Sequence, residues 1–251
     1  MRRNSFERYK MINIFIGTSA FGADAESQMV LEYSIKKHTS VDVSITWLKT
    51  SQDPNSNLFG WSKGRWGTPF SGYRWAIPEI CDFKGKAIYM DSDVMVLSDL
   101  KKLWDQEFKE NKVVLSKGEA APQRYCVSLW NNEYAKNFLP SVKSMRIDPF
   151  IHDKMIDFFA DNQEIVQPFE GNWNCVDGEG LTIEQIQTLH FSDMQTQPHL
   201  MKYTLPRLRS DGRKHWSKFK PKPHPRQDLQ RLFDKYYQEA LDSGYKVENY
   251  F

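Results

Sequence analysis

An apolar run interrupted by two acids constrains this chain more than any other feature. Ala87-Ile88-Tyr89-Met90 leads directly into Asp91-Ser92-Asp93, and Val94-Met95-Val96-Leu97 follows. Runs that apolar read as buried strand, and a carboxylate buried without a partner is costly. The fold must therefore answer these two acids with positive charge, or bring them to an open edge. Side chains at i and i+2 of a strand share a face, or are brought together by a kink, so a strand that delivers both acids and continues past them would present the pair beside an open sheet end. Magnesium and manganese favour such oxygen ligands and share them with phosphates and water. The plain alternative is an exposed acidic turn, which the apolar flanks argue against.

The surrounding pattern supplies the sheet. Residues 12–17 form a short apolar run closed by Gly17-Thr18-Ser19, a strand opening into a polar turn. Asp24 is placed to cap a following helix, and residues 41–47 alternate as a second strand. Residues 50–68 read as a long loop, and helix resumes near Pro69 until Pro78 ends it. Ser98 can cap a short helix reaching Trp104, and residues 113–116 and 125–130 read as further strands. A helix over 149–160, a Gly-rich loop over 171–180 and a strand over 188–191 ending near His190 complete the middle of the chain. Alternating strands and helices predict an α/β fold with a mostly parallel sheet flanked by helices. Leu229, Leu232, Phe233, Tyr236, Tyr237 and Ala240 fall at helical spacing, so a C-terminal amphipathic helix should pack on the domain.

At 251 residues, one core and one catalytic domain are expected, over 11–206, after a flexible 1–10 and before a basic segment and helix over 207–251. A formal charge of +2 carries no signal for nucleic acid. Cys81, Cys126 and Cys175 form no CxxC pair, which argues against a zinc site or a disulfide framework and favours a reducing compartment. No apolar run approaches bilayer length, so a cytoplasmic protein is expected. Arg209, Arg213, Lys214, Lys218, Lys220 and Lys222 face only Asp211. That stretch, 207–226, reads either as a solvated linker or as a surface for phosphate-bearing acceptors or anionic lipid headgroups, strengthened by Trp216 and Phe219.

Several runs in order resemble retaining glycosyltransferases of the GT-A fold, close to glycosyltransferase family 8 and its bacterial relatives. The core of the likeness is Arg74-Trp75-Ala76-Ile77-Pro78, then Gly85-Lys86-Ala87-Ile88-Tyr89-Met90-Asp91-Ser92-Asp93-Val94. Ile14-Phe15-Ile16-Gly17, Val127-Ser128-Leu129-Trp130-Asn131, Trp173-Asn174 with Asp177-Gly178, and Leu189-His190-Phe191-Ser192 also match. The resemblance implies a Rossmann-like GT-A sheet in which Asp91, Asp93 and His190 ligate Mn2+ or Mg2+ on the diphosphate of a nucleotide-sugar donor, UDP-linked as first choice. It implies that Arg74 reaches that donor, the alternative being a salt bridge at the helix surface. Gly17, Thr18, Ser19 and Ser92 become donor contacts, although relatives often carry an aspartate where Ser19 stands. Trp173, Asn174 and Asp177 resemble the loop against the transferred sugar or the acceptor; a turn with a buried tryptophan is the alternative. Lys202 is placed near the leaving phosphate, on a partial match at Gln197-Pro198-His199.

The implied activity is metal-dependent transfer of a hexose to a glycan, glycolipid or other hydroxyl acceptor with retention, with Asp91, Asp93, Arg74 and Asp177 as the catalytic set. Asp153, Asp157 and Asp177 are all conceivable neighbours of the sugar, so no nucleophile is named. The rival readings are a noncatalytic carbohydrate- or nucleotide-sugar-binding protein of the same fold and a nucleotidyltransferase. The latter ordinarily needs a basic phosphate loop near the start, and residues 17–25 contain no lysine or arginine.

Overall fold

The computed structural model describes residues 11–61, 66–68, 70–118, 124–215 and 218–251. The expectations for residues 1–10, for Pro69 and for Trp216 fall outside the described residues. In chain order the elements are β1 (Ile12–Gly17), α1 (Ala25–His38), β2 (Val43–Leu48), α2 (Ile77–Ile80), β3 (Lys86–Asp91), β4 (Val94–Val96), α3 (Lys101–Trp104), β5 (Val114–Ser116) and β6 (Val127–Asn131). They continue with α4 (Asn132–Ala135), α5 (Val142–Ile147), α6 (Ile151–Asp161), β7 (Val166–Pro168), β8 (Cys175–Val176), β9 (Thr188–His190), α7 (Leu205–Ser210) and α8 (Gln227–Asp242).

Among the described residues, six strands form the main sheet in the order β2-β1-β3-β6-β5-β7. β1 runs parallel to β2 and β3, β5 runs parallel to β7, and β6 alone runs against its neighbours. The fold is α/β with a mixed, mostly parallel sheet. Ile12, Ile14 and Ile16 on β1 and Ile88 and Met90 on β3 are fully buried in one core cluster with Leu31 and Ile35 of α1. Ala87 and Tyr89 face the other side, among Trp75, Trp130 and Phe159. The period of two thus splits β3 between two cores, each fully buried aliphatic contributing about 1.5–3 kcal/mol.

The strand does not continue through the acids. β3 ends at Asp91, and β4 belongs to a second, three-stranded sheet ordered β4-β9-β8. Ser92 is the hinge: its N–H donates to Gly17 O at 3.0 Å, and its carbonyl accepts from the Ser27 hydroxyl at 2.6 Å. Apolar periodicity looks the same on either side of such a break. In the second sheet β4 runs antiparallel to β9 with Val94 opposite His190, and β8 runs parallel to β9. β8 lies inside the stretch 171–180 that reads as loop in the sequence.

Other boundaries moved for local reasons. Pro78 sits at the start of α2, after a 3-10 turn over Tyr73–Ala76, instead of ending a helix; its missing N–H costs nothing in a first turn. Asp24 occupies the position before α1, yet its carboxylate makes no cap. Asp99, not Ser98, serves the start of α3, accepting from the Lys101 N–H at 2.9 Å. In the loop after β2, Trp61 is buried, and Trp61 and Trp66 both meet the Tyr73 ring edge-on. α8 packs its Leu229, Phe233, Tyr236 and Ala240 stripe inward and lies along α1.

Candidate active site

The parallel strands end together at one edge of the main sheet. Gly17 stands level with Leu48 and with Asp91, and Met90 pairs with Val127 at the start of the antiparallel β6. The Asp91 N–H donates to Cys126 O at 2.9 Å, so Cys126 faces Asp91 across the strands. The second sheet closes on this edge: the Phe191 N–H donates to Asp93 O at 3.0 Å, and the Asp177 N–H donates to His190 O at 3.1 Å. Acids from one turn therefore meet a histidine about a hundred residues away because two sheets share the Asp91-Ser92-Asp93 hinge.

Asp91 is held on its own side of the sheet. Arg74 Nη2 donates to both Asp91 oxygens, at 2.9 and 3.0 Å, and Arg74 Nη1 donates to Cys126 Sγ at 3.4 Å. The Tyr89 hydroxyl, two residues back on the same strand face, donates to Asp91 Oδ1 at 2.5 Å. The arginine and carboxylate side chains are 3% and 7% exposed, a buried ion pair rather than a surface one. Arg74 thus grips a carboxylate and a thiol of its own chain. Burial works against its charge, but Asp91, Cys126 and Tyr89 together overcome it and raise its pKa.

Asp93 turns toward the second sheet. Its Oδ1 lies 3.4 Å from His190 Nε2, and its Oδ2 accepts from Gln197 Nε2 at 2.6 Å. Burial raises the Asp93 pKa against the pull of His190. Burial opposes the charge on His190 too, but Asp93 prevails and raises it. Asp93 Oδ1 and His190 Nδ1 are also buried without a hydrogen-bond partner. Two carboxylates and an imidazole, with Asp93 and His190 each keeping an unpartnered atom, are donor types that fit a divalent cation such as manganese or magnesium. A ligand atom from each of Asp91, Cys126 and His190 lies within 4.8 Å of the others.

The turn after β1 forms the adjoining floor. A Cβ on Gly17 would lie 2.2 Å from the Tyr89 hydroxyl, so only glycine fits beside the Tyr89–Asp91 pair. Thr18 and Ser19 are buried, and the Ser19 hydroxyl donates to Asp24. His215 Nε2 meets the other Asp24 oxygen at 3.0 Å. Asp24 titrates below its usual range: burial pulls it up, but the His215 and Ser19 hydrogen bonds and nearby imidazoles win.

The remaining expected site residues divide. Asp177 accepts from the Ser192 hydroxyl at 3.2 Å and from His224 Nε2 at 3.1 Å, and these contacts hold its pKa low against burial. Asn174 is fully buried with a positive φ of 56°, its Nδ2 donating to Arg124 O at 3.3 Å. Trp173 is 2% exposed within the core cluster around β1 and β3 and donates to Glu170 O at 3.0 Å, so the buried-tryptophan alternative describes it. Lys202 pairs with Asp234 of α8 at 2.9 Å, its side chain 57% exposed, and is not brought to the carboxylates. Asp153 and Asp157 lie on α6, outside the group that meets at the hinge.

Four residues at or beside this centre were missed in the sequence. Cys126 and Gln197 contact it directly, the latter signalled only by its place in the partial match downstream of His190. His215 and His224 come from the basic 207–226 segment, which returns over the sheet edge and is not a free linker: the Lys222 N–H donates to Gln195 O at 2.7 Å, and Arg207 grips Glu26. Behind Gln197, His199 bridges Gln197 Oε1 and Thr204 Oγ1, and the Thr204 hydroxyl reaches Glu26.

Comparison with known proteins bears on this arrangement. The profile of glycosyl transferase family 8 matches residues 65–145, the span that carries Arg74, Asp91, Asp93 and Cys126. Over that span, about a third of its length, the chain is similar to glycosyltransferase family 8. A curated relative, Protein CDI of Arabidopsis thaliana, is 24% identical over 221 residues, covering 80% of each chain. Among solved structures, the galactosyltransferase LgtC in complex with donor and acceptor sugar analogues aligns over 91% of this chain and 96% of its own, with a TM-score of 0.56 at 13% identity. The apo glycosyltransferase GlyE of Streptococcus pneumoniae TIGR4 aligns over 93% of this chain and 63% of its own, with a TM-score of 0.55 at 16% identity. Apo WbbM, a bifunctional glycosyltransferase, scores 0.56 at 16% identity over 75% of this chain, and the alignment spans only 46% of WbbM. These likenesses establish the GT-A fold.

Proposed function

We propose that this chain is a family 8 glycosyltransferase that transfers a hexose from a nucleotide-diphosphate sugar, with UDP as the first-choice nucleotide, to a hydroxyl of a glycan or glycolipid, in a metal-dependent reaction that retains anomeric configuration. The observation that carries the reading is the meeting of Asp91, Asp93 and His190 at the hinge between two sheets, with Asp93 Oδ1 and His190 Nδ1 buried and unpartnered. The likeness to LgtC, solved with donor and acceptor sugar analogues, supports the substrate class.

A divalent cation bound by Asp91, Asp93 and His190 would supply Lewis-acid stabilisation of the charge that grows on the leaving diphosphate. The chain's own residues do the rest. Arg74 and Tyr89 fix the Asp91 carboxylate in one orientation, and Gln197 fixes Asp93 so that Oδ1 is turned to His190. Gly17, Thr18 and Ser19 form the strand-end turn where open α/β sheets receive nucleotides. Asp177, braced by Ser192 and His224 one strand from His190, is placed to accept hydroxyls of the transferred sugar. Arg74 acts by positioning Asp91. A peripheral membrane contact through 207–226 belongs to the same proposal, restricted to the charges not spent internally; among the described residues no helix is long and apolar enough to cross a membrane.

The test is incubation of the purified chain with a panel of nucleotide sugars and manganese, reading release of the nucleoside diphosphate. Turnover with a UDP-sugar that stops on chelation is expected. Binding of donors without turnover across acceptor glycans would instead support a noncatalytic sugar-nucleotide binder.

A further inference from the structure

One group at the centre has no part in the proposed chemistry. Cys126 lies just before β6, level with Asp91 on the neighbouring strand, and its Sγ falls within 4.8 Å of ligand atoms of both Asp91 and His190. The same guanidinium contacts both, with Nη1 3.4 Å from Cys126 Sγ and Nη2 on the Asp91 carboxylate. The other cysteines sit differently: Cys175 is packed in an apolar cluster with Leu189 and Phe233, and Cys81 lies at the margin of another. Cys126 is 7% exposed and is the thiol surrounded by a carboxylate, an imidazole and a guanidinium.

Asp93 adjoins this trio through His190. Asp93 Oδ1, buried and without a hydrogen-bond partner, is 3.4 Å from His190 Nε2. Bonds of about 2.0–2.3 Å to a tetrahedral zinc ion set ligand atoms about 3.3–3.8 Å apart, so contraction of the Asp91, Cys126 and His190 atoms, which lie within 4.8 Å of one another, would close them around one ion. Sulfur, nitrogen and carboxylate oxygen are also the donor types that zinc accepts. Manganese binds weakest in the order of divalent first-row ions and gains little from sulfur.

We propose that Cys126 makes the centre a thiophilic cation site, in which zinc or a cation of that class is held by Cys126, His190 and Asp91 and displaces manganese. This rests on the reading that Asp91, Asp93 and His190 form a cation centre. As the metal–sulfur bond forms, the thiol proton is released to solvent, with no change of oxidation state. Zinc held on the Cys126 thiolate takes the place of the cation that would meet the donor diphosphate, so the zinc-loaded chain is inhibited.

Cobalt is the probe, because a cobalt–thiolate bond gives a sulfur-to-metal charge-transfer band in the near ultraviolet. Cobalt added to the metal-free full chain should produce that band, and Cys126→Ser should lack it. In competition titrations Cys126→Ser should weaken zinc at least about ten-fold while manganese affinity stays unchanged. Should that variant fail to fold, zinc protection of Cys126 from alkylation, mapped by mass spectrometry on the wild-type chain, decides the matter. Cobalt bound without the band, a band that survives in Cys126→Ser, equal zinc affinities or undiminished alkylation of Cys126 under zinc would each overturn the proposal. Manganese-dependent transfer by a chain that shows no cobalt–sulfur band would overturn this inference and leave the proposed function standing.

Discussion

Replacing Arg74 by methionine isolates the buried ion pair beneath the proposed cation centre. The substitution keeps most of the side-chain volume and removes the charge, so the principal change is electrostatic. Asp91, 7% exposed along its side chain, is then left with the Tyr89 hydroxyl as its hydrogen-bond donor. Removing one partner of a buried pair costs about 3–5 kcal/mol, and the surviving Tyr89 bond places the expectation near 3 kcal/mol. A chain of this length loses about 2–4 °C per kcal/mol, which makes the fall in melting temperature about 6–12 °C. Urea unfolding without divalent metal measures the loss. Two further results follow from the same reasoning. Arg74→Met combined with Asp91→Asn should be more stable than Arg74→Met alone, because no uncompensated carboxylate remains. Saturating manganese should stabilise Arg74→Met more than it stabilises wild type. If Arg74→Met unfolds within about 1 kcal/mol of wild type, Asp91 is not the dependent buried charge described here.

Three further perturbations test separate parts of the account. Gly17→Ala places a methyl 2.2 Å from the Tyr89 hydroxyl, so a loss of about 1–3 kcal/mol and reduced transfer are expected from thermal melts and donor turnover. Lys202→Ala, at an exposed pair with Asp234, should leave turnover unchanged and cost at most about 1 kcal/mol; lost turnover would reinstate it at the site. Burial lowers the His199 pKa to about 4, below its unfolded value of 6.5, so the unfolded chain binds the proton first as pH falls. Its contribution is therefore intact above pH 6.5 and declines toward pH 4, by about 2 kcal/mol at pH 5; urea midpoints at pH 7 and 5 should show His199→Gln losing less than wild type.

Much of the fold was legible because period and punctuation agree. The β1 run closed by Gly17, the alternation in β2 and the α8 stripe each name their element without help. The sequence left a kink between the acids and a continuous strand as equal options, since Met90 and Val94 are equally apolar and only the pairing partners differ: Val127 on one side, His190 on the other. Sequence reasoning selected Asp91, Asp93 and His190, and the structure brings their segments to one edge. It could not see that Arg74 is spent on Asp91, because a guanidinium suits a carboxylate and a phosphate alike. Cys126 was hidden because a lone cysteine has no spacing to read. His215 and His224 were hidden because they stand in a basic, proline-bearing stretch whose composition resembles a linker. Trp173 carries no orientation in its letter, and burial decided it.

The central claim is that Asp93 and His190 are cation ligands left short of positive charge by the protein itself. A manganese titration of the full chain followed by electron paramagnetic resonance tests it directly, comparing wild type with Asp93→Asn and His190→Ala. Each variant is expected to bind manganese at least about ten-fold more weakly, and Asp93→Asn should melt no lower than wild type in the absence of metal because a buried uncompensated charge is gone. Manganese affinities equal to wild type in both variants would contradict the account.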